Sequence, residues 1–217
     1  MAGYHTVAQG EHVPGIAEDY GFTDYLVIWN HANNAQLKQL RQNPNVLFPG
    51  DKLYIPDRTP KEYGRSTDQR WKFKVKKKPL RLRLVLRDEY EHPIANTACL
   101  LRLEDKQKNV TTDGDGKIEL DLPPSAKQAT LVIQGEQETP YFGMTIPLKI
   151  GHLDPVDTVS GQQGRLYNLG YYWGELNGED SVEWRSAIEE FQCEHQLTVD
   201  GICGPVTQAK LKEVHGC

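Results

Sequence analysis

The stretch VDGICGPVTQAKL, residues 199–211, places an Asp-Gly turn, a cysteine and a Gly-Pro step directly before a helical pattern. Such a stretch could hold a redox or metal-binding cysteine, a calcium loop, or a plain turn that begins a helix. Pro205 at the first helical position favours the third interpretation, because a first turn leaves the backbone N–H unpaired in any case. Asp200-Gly201 and Gly204-Pro205 set the turn, and the Thr207 hydroxyl can bond nearby backbone groups. We predict a helix over residues 205–214.

The cysteine content argues against redox or metal chemistry. The four cysteines, at positions 99, 193, 203 and 217, are too few and too scattered for a disulfide scaffold. None forms a Cys-x-x-Cys motif, and no cysteine–histidine group has zinc-ligand spacing. Buried free thiols are favoured, and a Cys193–Cys203 disulfide in an oxidising compartment is the alternative. We expect no metal and no cofactor, and we expect Cys203 to point inward.

The residues around this stretch, 151–217, have the apolar spacing of helices. Residues 152–170 place Val159, Leu166 and Leu169 on one face. In residues 181–197 the apolar positions recur three and four residues apart, and they are Val182, Trp184, Ala187, Ile188 and Phe191. We predict a C-terminal three-helix unit over residues 151–217.

This unit resembles the three-helix peptidoglycan-binding domain that is attached to many cell-wall amidases and consists of two half-repeats. The second half-repeat is matched closely, by Leu197, Val199-Asp200-Gly201-Ile202, Gly204-Pro205 and Thr207. The resemblance implies that this half binds peptidoglycan. Its candidate ligand-binding residues are Asp200, Gly201, Gly204 and Thr207.

The first half-repeat departs from the family pattern. It keeps the motif residues Leu169-Gly170-Tyr171, Gly174, Asn177-Gly178, Ala187 and Phe191-Gln192. Ser181 stands where the turn usually carries glycine, and Trp184 replaces a threonine. The resemblance therefore implies a degenerate first site beside an intact second one.

Residues 1–58 have a different pattern, with the element order β-α-α-β. Residues 4–9 predict a short strand, and residues 10–21 predict a turn followed by a helix. Residues 24–40 predict a second helix. The alternating residues 52–55, after a Pro-Gly turn, predict a second strand.

This first unit resembles a LysM domain. The matching motifs are Tyr4-x-Thr6-Val7, Gly10-Glu11, Ile16-Ala17, Tyr20-Gly21, Trp29-Asn30 and the segment PGDKLYIP at 49–56. LysM domains bind polymers that contain N-acetylglucosamine, in a groove between two loops. The candidate sugar-binding residues are Gly10, Glu11, His12, Val13, Asn45, Val46, Leu47 and Phe48. Two features depart from the family: residues 12–14 of the first loop, and the long segment 36–44.

The middle of the chain begins with a polar, charged segment, residues 59–69, that predicts a linker. Residues 70–87 then contain nine basic side chains and no acidic one. Apolar and basic residues alternate on both sides of Pro79, which predicts two half-buried strands with a basic, solvated face. The alternative is an anionic partner such as nucleic acid, teichoic acid or an acidic protein surface.

Further short strands are predicted at residues 98–103, 118–122, 129–133 and 144–150, with a hairpin turn at residues 111–116. The DGDG run in that turn does not predict a calcium loop. Such a loop needs acidic ligands up to a glutamate at its twelfth position and flanking helices, whereas Lys117 and a strand follow here. We predict an antiparallel β-sandwich over residues 70–150, and a multidomain α+β protein as a whole.

Composition bounds the class of protein. With 217 residues, 38% of them hydrophobic and 25% charged, the chain is expected to be globular with two or three small units. The net charge of −5 is uneven, and the last unit carries 11 acidic and 4 basic side chains. No apolar run reaches membrane-spanning length, and residues 1–10 lack the pattern of a classical signal peptide. We therefore expect synthesis in the bacterial cytoplasm and no membrane span.

The sequence offers no catalytic constellation. A zinc hydrolase needs closely spaced histidines, a third ligand and a glutamate base, but the seven histidines are dispersed. A cysteine transpeptidase would need support around His215-Gly216-Cys217, which we do not expect there. A glycosidase needs two carboxylates in a cleft, and the pattern singles out none. We expect that the protein is not an enzyme.

These inferences predict a non-catalytic peptidoglycan-binding protein whose two end units act together by avidity, at the cell envelope or in the periplasm. The combination of units, with GHLDPVDTVSG (residues 151–161) at the junction, also resembles small proteins encoded beside type VI secretion spike genes. That resemblance implies the main alternative, which acts on a secretion particle. It is a structural adaptor of a contractile injection or phage-tail-like apparatus that docks a spike or effector protein. A murein hydrolase is the least favoured class.

Overall fold

The computed structural model describes residues 2–59, 64–72, 78–104 and 106–217. Within these ranges it contains six α-helices and eight β-strands, and the strands pair antiparallel. This confirms a mixed α/β protein with antiparallel sheets. Three hydrophobic clusters lie in turn along the chain, within residues 7–55, 80–150 and 156–211. Among the described residues, no helix has both the length and the apolar character needed to cross a membrane.

The N-terminal region pairs strands β1 (Gly3–Thr6) and β2 (Lys52–Ile55). Between them lie α1 (Val13–Asp19), α2 (Leu26–Trp29), a 3-10 turn (Ala32–Asn34) and α3 (Ala35–Arg41). The prediction of one helix over residues 24–40 is therefore wrong.

The break in this predicted helix has a long-range cause. The Asn34 side chain is buried and donates to the carbonyls of Ile28 (2.8 Å) and Tyr54 (2.9 Å). It also accepts from the Tyr54 amide at 2.7 Å. Because an asparagine side chain competes with helical backbone bonds, these contacts tie the chain to β2 instead of continuing the helix.

The central region has two antiparallel sheets. Strand β3 (Leu80–Val85) pairs with β6 (Lys117–Leu122). The other sheet has the order β5-β4-β7-β8, in which β4 is Ala98–Leu103, β5 is Lys106–Thr111, β7 is Gln128–Ile133 and β8 is Thr145–Lys149. Apolar side chains of both sheets form one hydrophobic cluster.

One prediction for this region is wrong, and one strand of it was missed. Residues 111–116 are not a hairpin turn, because β5 pairs with β4 and β6 pairs with β3, so the chain passes there from one sheet to the other. Strand β5 was not predicted, since its sequence KQKNVT is polar and the strand lies exposed at the sheet edge.

The basic segment is described in part. On β3, exposed Arg81 and Arg83 lie opposite Asp121 and Glu119, at 3.5 and 3.3 Å, as on a solvated sheet face. The predicted strand before Pro79 falls largely on residues 73–77, which lie outside the described residues. So do residues 60–63 of the predicted linker.

The C-terminal region contains α4 (Val159–Asn168), α5 (Val182–Glu194) and α6 (Pro205–His215). Side chains at their centre, including Leu166, Ile188, Phe191 and Leu211, form a shared cluster. The Thr158 side chain caps α4 by accepting from the Gly161 amide, and Ser181 caps α5 by accepting from the Trp184 amide. Burying this cluster is the main contribution that holds the three helices together.

Candidate functional site

A buried glutamine on α5 builds the turn before α6. Gln192 is 1% exposed, and its Oε1 accepts from the amides of Asp200 and Gly201, each at 3.0 Å. Its Nε2 donates to Asp200 Oδ1 (2.8 Å), the Ile202 carbonyl (3.1 Å) and Thr207 Oγ1 (3.1 Å). The side-chain amide of Gln192 therefore hydrogen-bonds to the turn at residues 200–202 and to Thr207 in the first turn of the next helix.

The predicted ligand-binding residues of the second half-repeat all lie in or beside this network. Gly201 has φ +65°, a conformation that favours glycine, and Thr207 is buried. The Ile202 amide and then the Gln192 side chain donate to the Asp200 carboxylate, and both lower its pKa. Gly204 begins α6 without a side-chain cap. The hydrogen bonds of these residues build the turn, and ligand binding by them stays a prediction.

A second glutamine, on α4, builds the turn before α5 in the same way. Gln163 is fully buried, and its Oε1 accepts from the Gly178 amide at 2.8 Å. Its Nε2 donates to the Glu179 carbonyl (2.9 Å) and to Asn177 Oδ1 (3.3 Å). Asn177 Oδ1 also accepts from the Glu179 amide at 2.9 Å, as Asp200 Oδ1 does from Ile202. Sequence reasoning missed Gln163, although Gln163 and Gln192 both lie on the helix that precedes an Asx-Gly pair.

The two turns differ at the third residue after the helix cap. Thr207 occupies this position in α6 and accepts from Gln192, as described above. Trp184 occupies it in α5, and its indole Nε1 is buried with no hydrogen-bond partner among the described residues. In the first half-repeat, a large aromatic side chain thus stands where the second half-repeat has a hydroxyl group that hydrogen-bonds to the glutamine of the turn.

Beside Trp184, an open groove of about 500 Å³ lies between residues 171–174 and the N-terminal half of α5. Trp173 is 80% exposed and Val182 is 77% exposed at its rim. Tyr172 is buried and donates to the Glu175 carbonyl at 3.0 Å. Gly174 must be glycine here, because a Cβ atom would lie 2.4 Å from the Tyr172 hydroxyl oxygen. The segment is therefore held in place while Trp173 faces solvent.

The groove is acidic as well as aromatic. Glu183 and Glu190 line it, together with Tyr171, whose hydroxyl donates to Glu194 at 2.7 Å. Burial, and next the Glu194 carboxylate, raise the pKa of Tyr171. Glu183 lies in the first turn of α5, where its own backbone amide and then the Ser181 hydroxyl lower its pKa. Such a surface can stack against apolar faces and attract cations.

The structure brings the two predicted sugar-binding loops of the N-terminal region together, since the Val13 amide donates to the Pro44 carbonyl at 2.9 Å. Several of their side chains are nevertheless buried: His12, Val13, Val46 and Leu47. His12 caps α1, with Nδ1 accepting from the Gly15 amide. The Glu11 carboxylate accepts from the Ala8 amide and His5, each at 2.8 Å. Asn45 is exposed, and Gly10 and Phe48 are half-buried.

Other parts of the chain cover this face. A Cβ atom on Gly10 would lie 2.7 Å from Nε2 of His152, and Gln9 donates to Asp154 at 3.2 Å. Arg41 binds Asp51 at 2.8 Å and lies 3.8 Å from Asp157. A smaller groove of about 430 Å³ remains between Phe48 and the turn at residues 176–178.

The remaining reactive groups are placed as follows. The described cysteines are free. Cys99 and Cys203 are buried as expected, whereas Cys193 and Cys217 are exposed, so the expectation of buried thiols is wrong for these two. Burial raises the pKa of Cys203 to about 12. Cys217 Sγ lies 3.3 Å from His215 Nδ1, and Asn168 lies 3.0 Å from the other ring nitrogen, a support that sequence reasoning did not expect. Although Cys217 is exposed as a residue, partial desolvation of its thiol by neighbouring groups raises its pKa, which disfavours the thiolate. Among the described residues, no cluster of histidine, cysteine and carboxylate groups is arranged to hold a metal ion.

The helical unit thus combines two glutamine-held turns with an exposed groove that carries aromatic side chains. Residues 156–211 match a family described as a putative peptidoglycan-binding domain. The region thus contains a peptidoglycan-binding domain.

A curated relative supports this assignment. N-acetylmuramoyl-L-alanine amidase CwlM of Mycobacterium tuberculosis is 40% identical over 55 residues, which are 25% of this chain and 14% of the relative. The match therefore covers a small part of that relative. No solved structure matches the chain. The LysM resemblance of residues 1–58 stays a prediction.

Proposed function

We propose that the protein is a non-catalytic bacterial cell-wall-binding protein that holds peptidoglycan in the groove between residues 171–174 and α5. The observation that carries this proposal is the exposed Trp173 within a segment that matches a peptidoglycan-binding family. A tryptophan that is 80% exposed gains little from its own fold, and with Val182, which is 77% exposed, it forms an apolar patch in the groove of the kind that marks interaction sites.

The groove suits a polymer that alternates polar and apolar surfaces. Trp173 and Val182 offer apolar faces, while Ser186 and the two groove glutamates offer polar groups at the rim. Binding sites usually combine such an apolar lining with a few convergent polar groups. The N-terminal loops contribute less in this proposal, because their central side chains are buried.

A second candidate, the adaptor that docks a spike or effector protein of a contractile apparatus, is supported by one observation. The first of the two loops that would bind sugar in a LysM domain lies against residues 151–154, so that this loop is in part a packing surface within the chain. Co-purification of the full chain with a spike or effector protein from the producing bacterium tests this role. A protein that copurifies with neither would count against it.

The main proposal is tested by sedimenting the full chain with purified sacculi at modest salt. We expect the wild type to sediment. Trp173→Ala should lose about tenfold in affinity, since aromatic side chains that become buried on binding dominate such contacts. Leu40→Ala is the matched control, because Leu40 is also an exposed apolar residue but lies on α3. Circular dichroism verifies that each variant is folded.

Two outcomes would contradict the proposal. A wild-type chain that stays in the supernatant would exclude peptidoglycan binding. Equal binding by Trp173→Ala, with loss in Ile202→Ala instead, would move the site to the second half-repeat. A parallel assay for soluble muropeptides tests the absence of catalysis, and their release by the pure chain would show a hydrolase.

A further inference from the structure

We infer that the groove beside α5 selects a ligand that carries a primary ammonium group on a short aliphatic chain, as the diamino acid of an uncrosslinked wall stem peptide does. This inference rests on the proposed function and names the part of peptidoglycan that the groove would recognise. In this inference the groove binds the free amine of the stem peptide and does not recognise peptidoglycan through its glycan alone.

The first observation is the charge of the groove lining. Glu183 and Glu190 line it, and no lysine, arginine or histidine of the described chain does. The nearest arginine along α5, Arg185, is engaged by Asp180 through two hydrogen bonds of 2.7 and 2.5 Å. Glu190 forms no ion pair with another described residue, so its carboxylate is available to a cation.

The second observation is the aromatic wall. Trp173 and Tyr171 line the same groove as the two carboxylates, and Trp173 is almost fully exposed. An ammonium group is attracted both to the face of an indole ring and to a carboxylate. Val182 gives the aliphatic part of such a ligand an apolar contact on the same rim.

The third observation concerns the surrounding potential. Besides burial, three carboxylates raise the pKa of the Tyr171 hydroxyl: those of Glu194 and Glu190 on α5, and that of Glu91 in the central region. The C-terminal unit as a whole carries 11 acidic and 4 basic side chains. This field would repel an anionic polymer such as teichoic acid, and it favours a cationic group over a neutral sugar.

The test compares two forms of one soluble probe with the full chain. The probe is a muropeptide whose stem carries the free amine of a diamino acid, and the comparison form is the same muropeptide after N-acetylation. Isothermal titration calorimetry should show affinity about tenfold lower for the acetylated form. Glu190→Gln should lose a similar factor for the free amine and little for the acetylated form.

Glu189→Gln is the matched control, because Glu189 is the neighbouring glutamate on α5 but lies against Gly201 rather than in the groove. It should bind both probes as the wild type does. Equal affinity for the two probes, or an equal loss in both glutamate variants, would overturn the inference. If sacculi still sediment the chain in that case, the proposed function stands; if sacculi do not, both fail.

Discussion

The turns at residues 177–179 and 200–202 are built by the same device and have different surroundings. In each, a buried glutamine on the preceding helix accepts from the turn glycine amide and donates back to the Asx side chain. The two glycines have φ +76° and +65°. The two half-repeats therefore share their internal architecture, although 14 residues separate Gln163 from Asn177 and only 8 separate Gln192 from Asp200.

The difference lies in what closes each turn. Thr207 completes the second network, whereas Trp184 replaces it in the first and leaves a buried indole N–H without a partner among the described residues. The longer segment of the first half carries Trp173 and the groove, while the second half is compact. We propose from this comparison that the second half-repeat mainly stabilises the unit, and that the half that departs from the family pattern provides the binding surface.

The largest effect is expected for Gln192→Ala. This change removes five hydrogen bonds and leaves buried turn amides without acceptors, at a cost of about 3 kcal/mol in the free energy of unfolding. Urea unfolding followed by circular dichroism measures the loss. Gln36→Ala is the control, because Gln36 is exposed and its replacement should have little effect. A loss below about 1 kcal/mol for Gln192→Ala would refute the structural role of Gln192.

A smaller effect is expected for Gln163→Ala. Gln163 makes three hydrogen bonds to its turn, and the turn lies in a more exposed segment, so we expect a loss of about 2 kcal/mol. Because residues 171–178 would loosen, sacculus binding should weaken as well. The same urea titration, combined with sedimentation, checks both effects. Full binding together with lost stability would show that the turn does not position the groove.

The closing residues give a sharper contrast. Thr207→Val should cost about 1 kcal/mol, because Gln192 loses one of its acceptors. Trp184→Phe should be within about 0.5 kcal/mol of the wild type, since it removes an N–H that is buried without a partner. Thermal unfolding of both variants measures the difference. A Trp184→Phe variant that is less stable than Thr207→Val would show that the buried volume of the indole contributes more than its unpaired N–H costs.

The smallest effect is expected for Cys203→Val. Cys203 is buried and its raised pKa keeps it a neutral thiol, so an apolar side chain of similar size should change stability by less than about 1 kcal/mol. Cys203→Ser, which buries a hydroxyl at the same place, should be the less stable of the two. A stability difference between the wild type and Cys203→Val that appears under non-reducing conditions and vanishes on reduction would reveal a disulfide to Cys193.

Local periodicity explains which elements could be predicted from the sequence. The alternation of Leu80 to Leu84 with arginines predicts β3, because alternate residues of a strand face opposite sides. Strand β5 has no such alternation, since both of its faces are largely exposed. The break at Asn34 depends on a contact with Tyr54, 20 positions away, which a local pattern cannot show.

The candidate site was harder to predict for a related reason. A family pattern contains the residues that a turn requires, here Asp200, Gly201 and Thr207. Such a pattern does not distinguish them from residues that bind a ligand. Trp173 belongs to no periodic element. Its groove exists because residues 171–174 pack beside α5, which requires the folded chain. The N-terminal loops were predicted as a pair, but the packing of residues 151–154 against the first of them is also a tertiary effect.

The most direct test of peptidoglycan binding through the first half-repeat is amide and indole NMR of the full 24.6 kDa chain during titration with a soluble muropeptide. We predict shifts of the Trp173 indole N–H and of amides in residues 171–174 and 182–190. Shifts confined to residues 199–207, or to the loops 10–13 and 45–48, would contradict this account.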